Sequence, residues 1–273
     1  MSKRLYRFTP IQRLFHVLLV LSFLIQAASG LGRMYMETPW GQALCLMFGG
    51  YGRAGEVHRV IGLFMLVLFA VHLIYLMCCI QWRQFPGCLM GPDSMVPAPR
   101  DLGHFFQHVG WFFGRCPEPP LDRWGYWEKF DYWAVFWGMV IMGSSGLMVA
   151  YPLFTSRFMP GWGLNVAFWV HRLEALLAMG HVFMIHFFIG HLRPRHFPMD
   201  RSIFQGSARL DTVARERPAW LARLKADGKF RERLTGDVPR TRKAIYLVFG
   251  FAAMAVGIYL LLGALFHATR ITW

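Results

Sequence analysis

Between Gly163 and His191 runs an apolar stretch long enough to cross a bilayer, with His171, His181 and His186 inside it and His191 at its exit. An ionisable group in hydrocarbon is costly unless paired, so each such residue is a functional candidate. With a helical rise of 1.5 Å per residue, His171 and His186 lie about 22 Å apart along the axis. At about 100° per residue they differ by roughly 60° in azimuth and share a face. A second stretch, Gly55 to His72, carries His58 and His72 about 21 Å and roughly 40° apart. Neutral imidazole is a good iron ligand, and two of them fill both axial positions, which favours electron transfer over oxygen chemistry. Two helices with matched histidine pairs could therefore sandwich two haems, one in each leaflet. Buried histidines bonded to helix carbonyls are the plainer alternative, and they suit an isolated histidine better than two matched pairs.

The elements that must position these residues are membrane spans. The 273 residues are 55% hydrophobic and 16% aromatic with only 16% charged, a composition of integral membrane proteins. A net charge of +14 could suggest nucleic acid, but its distribution argues against that partner. Residues 1–32 hold Lys3, Arg4, Arg7 and Arg13 and no acid, and residues 191–243 hold fourteen Lys/Arg against six Asp/Glu. Such segments mark the cytoplasmic side. The five cysteines, Cys45, Cys78, Cys79, Cys88 and Cys116, form no C-x-x-C pattern, which disfavours covalent haem and iron–sulfur clusters. The first apolar run has no small-residue cleavage site and is long enough to span.

Five spans are expected: Leu14 to Gly32, Val57 to about Trp82, Tyr132 to Tyr151, the histidine-bearing fourth, and Ala244 to Phe266. They give an all-α integral membrane bundle, a four-helix dihaem core (1–200), a basic cytoplasmic segment (201–243) and a C-terminal span (244–273). The N-terminus is then cytoplasmic and the C-terminus periplasmic. Arg33 to Glu56 reads as a Gly-rich outer loop. Arg83 to Asp131 reads as a proline-rich polar stretch with one short helix, Asp101 to Arg115, whose His104 and His108 form a surface pair. Leu210, Val213, Trp220, Leu221 and Leu224 suggest an amphipathic helix on the membrane surface. The fifth span is featureless apart from His267 at its exit.

Arg13-x-x-His16 on the first span, His58-Arg59 on the second, and His171 with His186 on the fourth resemble the dihaem cytochrome b subunits of membrane formate dehydrogenases and nickel–iron hydrogenases. The phrases Trp127-Glu-Lys-Phe-Asp-Tyr-Trp133 and His191-Leu-Arg-Pro194 with Phe197-Pro-Met-Asp200 are similar to a branch of that family that often accompanies multihaem c-type cytochromes or iron–sulfur proteins in anaerobic respiration. The resemblance covers roughly residues 4–200. It implies two b-type haems, an outer one on His58 and His171 and a cytoplasmic one on His16 and His186. His72 departs from the formate dehydrogenase pattern, and by depth it faces His186 as well as His16 does. His181, about 140° from His186 on an α-helix, is expected to be structural.

Arg59 and Arg172 each follow an expected outer ligand. They could snorkel to the surface, or reach haem propionates, for which planar guanidinium is the preferred donor. Glu174 could balance Arg172 or help move protons. The resemblance also implies quinone, menaquinone or ubiquinone, near His186, with Trp127, Lys129, Asp131 and His191 as polar or aromatic candidates. The expected function is electron transfer between quinone and a periplasmic multihaem cytochrome c or iron–sulfur subunit in the inner membrane, in contact with membrane lipid and not nucleic acid. Two rivals remain: a partner-free cytochrome b561-like oxidoreductase, and a haem-free metal transporter or anchor. Metal transport would need acidic or thiol ligands in the spans, and these are almost absent.

Overall fold

The computed structural model describes residues 3–270. In chain order β1 (Arg4–Tyr6) precedes α1 (Pro10–Met34), α2 (Pro39–Met47), α3 (Tyr51–Cys79), α4 (Pro99–Phe112), α5 (Tyr126–Ala150) and α6 (Pro152–Thr155). Next, α7 (Gly161–Gly180) continues as two π-helical segments, His181–His186 and Phe188–Leu192. After them come α8 (Ser202–Gln205), β2 (Ser207–Arg209), α9 (Leu210–Glu216), α10 (Pro218–Ala226), β3 (Leu234–Thr235) and α11 (Arg240–Phe266). Among the described residues five helices are long and apolar enough to cross a membrane: α1, α3, α5, Gly161–Leu192 and α11. The protein is thus an all-α membrane bundle, and among the described residues three short strands are the exceptions.

The spans begin earlier than hydrophobicity alone suggests, because polar caps and charged first turns belong to them. At α1 the Thr9 hydroxyl accepts from Gln12 N (3.2 Å) while the Gln12 side chain accepts from Thr9 N (3.0 Å), a reciprocal cap ahead of Pro10. At α5 the Glu128 carboxylate accepts from Gly125 N at 2.8 Å, so the Trp127–Trp133 phrase forms the first two turns of the third span. The expected outer loop 33–56 also holds more order than expected. Thr38 caps α2 by accepting from Gly41 N at 3.0 Å, and α3 already starts at Tyr51.

The chain divides into two compact units. One combines the N-terminal residues through Arg13 with Ile74–Val135 and Arg201–Ala244. Here β1 is the centre strand, antiparallel to both neighbours in the order β2-β1-β3, with Leu5 opposite Ala208 and Leu234. Leu5, Val213, Trp220 and Leu224 are its buried core. The amphipathic surface helix expected from these apolar residues is instead two short helices, α9 and α10, which turn them onto the N-terminal strand. Charge is internal here as well. Glu128 accepts from Arg7 at 2.6 Å and from Arg217 at 2.8 Å, and both arginines are buried. Arg223 binds Asp122 (2.7 Å) and Asp93 (3.0 Å). Burial alone would raise the Asp93 carboxyl, but bonds from Arg223 and Arg123 hold it below its ordinary range.

The other unit contains Leu14–Leu73, Phe136–Asp200 and Ile245–Trp273. Its helices expose large apolar side chains such as Val60, Val67, Leu177, Val248 and Leu262, as lipid-facing surfaces do. Contacts inside it use small residues. Gly257 of α11 admits Phe183 and Phe187, the aromatic neighbours of His186, so the fifth span is not featureless. At its end His267 stacks on Trp40 at 5.4 Å, with the rings 5° from parallel.

Candidate functional site: two imidazole pairs

His58 of α3 and His171 of α7 face one another with ring centres 6.2 Å apart and planes crossed at 84°. Each ring is backed by a Ser-Gly step on a different span. Ser29 Oγ lies 3.0 Å from His58 Nδ1, and Ser145 Oγ lies 3.2 Å from His171 Nδ1. The adjoining glycines make the room. A Cβ on Gly30 would stand 3.1 Å from His58 Cε1, and one on Gly146 would stand 3.0 Å from His171 Cε1.

The second meeting is between His16 of α1 and His186 in the π-helical part of the fourth span, at 6.5 Å and 46°. His191 is a third imidazole, 6.0 Å from His186. The backbone explains it, since π bonding runs from i to i+5 and lines up residues five apart. It also corrects the sequence geometry. The 140° assigned between His181 and His186 assumed an α-helix, whereas both belong to one π-helical segment. His72 packs edge-on against Phe15 at 5.1 Å, one residue from His16.

These spacings can be compared with what an iron would require. A metal–imidazole nitrogen bond of about 2.0–2.1 Å, plus about 1.1 Å from nitrogen to ring centre, sets two axial imidazoles on one metal about 6.2–6.4 Å apart. The 58/171 pair falls within that span at 6.2 Å, and the 16/186 pair lies just beyond it at 6.5 Å. With Nδ1 of His58 and His171 turned to serine, Nε2 is the nitrogen left to face a metal. The donor set and the glycine clearances therefore fit b-type haem. Among the described residues no group of three or more His, Cys, Asp or Glu is placed to hold a bare metal ion.

The remaining candidates divide. Arg59 is exposed, and Arg172 lies over Phe168 and Trp169 of its own helix at 5.2 and 5.7 Å. Arg33, not singled out in the sequence, places its guanidinium where a Cβ of Gly55 would stand, one turn before His58. Glu174 turns toward Gly138 of α5, whose Cβ would lie 3.7 Å from its carboxylate. Among the quinone candidates, His191 belongs to the unit of the imidazole pairs, and Trp127, Lys129 and Asp131 belong to the other. Lys129 is buried and bonded to Asp101 (2.8 Å) and the Val96 carbonyl (3.2 Å). The ring of Trp127 meets His108 at 5.5 Å.

An all-α membrane bundle with facing imidazoles on its spans has the build of a membrane-bound b-type cytochrome. Residues 7–201 match the family described as prokaryotic cytochrome b561, and the chain belongs to that family. No curated protein matches it. It is a multi-pass electron-transfer protein of the bacterial cytoplasmic membrane that binds b-type haem, which removes the haem-free transporter reading.

Proposed function

We propose that this protein is a quinone-reactive dihaem subunit, holding one haem on His58 and His171 and a second on His16 and His186. The observation that supports this most is the recurrence of nearly the same ring-centre separation between facing imidazoles, 6.2 and 6.5 Å, at two places in a single unit. His58 with His171 and His16 with His186 would hold the haems, which would supply single-electron transfer there. The residues of the chain orient the ligands, keep water away with apolar span surfaces, and exchange protons where quinone needs them.

His191 is the proton-exchanging candidate beside His186. Electrons would pass between the quinone pool and a periplasmic multihaem cytochrome c or iron–sulfur subunit near the 58/171 pair. The basic N-terminus and the basic segment 191–243 support a cytoplasmic N-terminus and a periplasmic C-terminus. The branch phrases of the sequence, and the residues after 201 that lie beyond the family match, support a partner-bound subunit over a self-contained oxidoreductase.

The test is haem content and reactivity together. Purified protein should yield two acid-acetone-extractable b haems per chain by pyridine haemochrome, and both should be reduced by quinol. One haem per chain, or no reaction with quinol, would overturn this reading.

A further inference from the structure

Ser29 and Ser145 repeat one another in detail. Each sits five residues before the end of its membrane helix and donates its hydroxyl to the carbonyl four residues back, Ile25 for Ser29 and Ile141 for Ser145, both at 2.7 Å. Each also lies near the carbonyl three residues back, Gln26 at 3.2 Å and Met142 at 3.4 Å. A hydroxyl has one proton and two lone pairs. With the proton directed to helix carbonyls, the oxygen can only accept from the imidazole beside it. The serine partner at each Nδ1 therefore requires the proton there.

Bonding back to one's own helix is common for serine and carries no message by itself. Ser22 and Ser144 do it too, to Leu18 at 2.7 Å and Val140 at 2.8 Å. What sets Ser29 and Ser145 apart is the imidazole across from each, on another span, and the glycine that follows each to admit the ring.

We infer that Ser29 and Ser145 are matched positioning residues, holding His58 and His171 as Nδ1–H tautomers so that both present Nε2 to one haem and the two hydroxyls tune its potential. This rests on the proposed haem at the 58/171 pair. Acceptors at the far nitrogen make a ligating imidazole more basic and favour the oxidised metal. Removing one weakens that support and moves the potential upward.

The experiment is a redox titration of the α band, with electron paramagnetic resonance, on the purified haem-loaded protein. Ser29→Ala and Ser145→Ala are compared with Ser145→Cys, a weaker acceptor of similar size, and with Ser144→Ala. The 58/171 haem is identified as the one missing in His171→Ala. Both serine-to-alanine changes should raise the midpoint of that haem and alter its low-spin signal while leaving the other haem in place. Ser145→Cys should fall between, and Ser144→Ala should match the unmodified protein. Selective loss of the same haem in an alanine variant counts in the same direction. No shift, or equal shifts in both haems, overturns the inference. If His171→Ala removes no haem, the reading of the pair itself fails, a result distinct from insensitivity to serine.

Discussion

His58 and His171 meet on α-helical backbone with a Ser-Gly step behind each ring, whereas His186 sits in a π-helical segment with His16 across from it and His191 beside it. The first pair has its ring orientations set from two further spans. The second has three imidazoles within a short reach, on a backbone form that is rare and concentrated at functional sites. A fixed pair suits a position that only passes electrons. A cluster with an additional titratable ring suits a position where electrons meet protons, as quinone chemistry requires.

The most severe way to break this comparison is to remove a ligand. His171→Ala should eliminate the proposed 58/171 haem, and with it electron transfer to the proposed periplasmic partner, and leave the 16/186 haem reducible by quinol in stopped-flow measurements. Two low-spin haems in that variant would make His171 structural and dissolve the contrast.

A large effect of a different kind is expected from Glu128→Gln. Arg7 and Arg217 both depend on this carboxylate, and leaving them buried without it should cost about 3 kcal/mol or more. Thermal unfolding should register the loss. The midpoint potentials of whatever folded protein remains should not move, because both imidazole pairs belong to the other compact unit. A shift of either potential would tie the charge network to the haem sites.

Where the sequence was informative, and where it was not, follows the same division. His16, His58, His171 and His186 could be picked out because histidine is conspicuous in apolar helices and a helical period carries it to a calculable face. The serine and glycine steps could not, since each residue alone is ordinary in a membrane helix. Their signal was the dipeptide itself, present once on α1 and once on α5. His191 was legible as a candidate near His186, but its side-by-side ring placement was not, because 3.6 residues per turn would set the two apart in azimuth, although the spacing of five from His181 to His186 to His191 hints at a wider turn. The folded core of Leu5, Val213, Trp220 and Leu224 was unreadable for another reason. It joins residues some two hundred positions apart, and no local period reports such a contact.

Smaller effects sharpen the contrast. His191→Ala should shift the midpoint and pH dependence of the 16/186 haem and slow quinol oxidation, with the 58/171 haem unmoved. Equal shifts in both would remove the special standing of the cluster. A pH series should show the least effect. Because Asp93 is held below its ordinary range in the folded protein, its contribution is complete above about pH 4 and is lost as pH falls through the lower folded value. Unfolding followed by tryptophan fluorescence should show a drop in stability only in strong acid, and Asp93→Asn should flatten it. An unchanged acid limb in that variant would assign the loss to other carboxylates.

The central claim, one bis-imidazole haem at each pair, is tested most directly by electron paramagnetic resonance of the oxidised purified protein beside His16→Ala and His72→Ala. Two low-spin signals are expected in the unmodified protein. His16→Ala should lose one, and His72→Ala should retain both with a shifted potential, as befits a ring packed against Phe15. Loss of a signal in His72→Ala with retention in His16→Ala would contradict the pairing and move the ligand from the first span to the second.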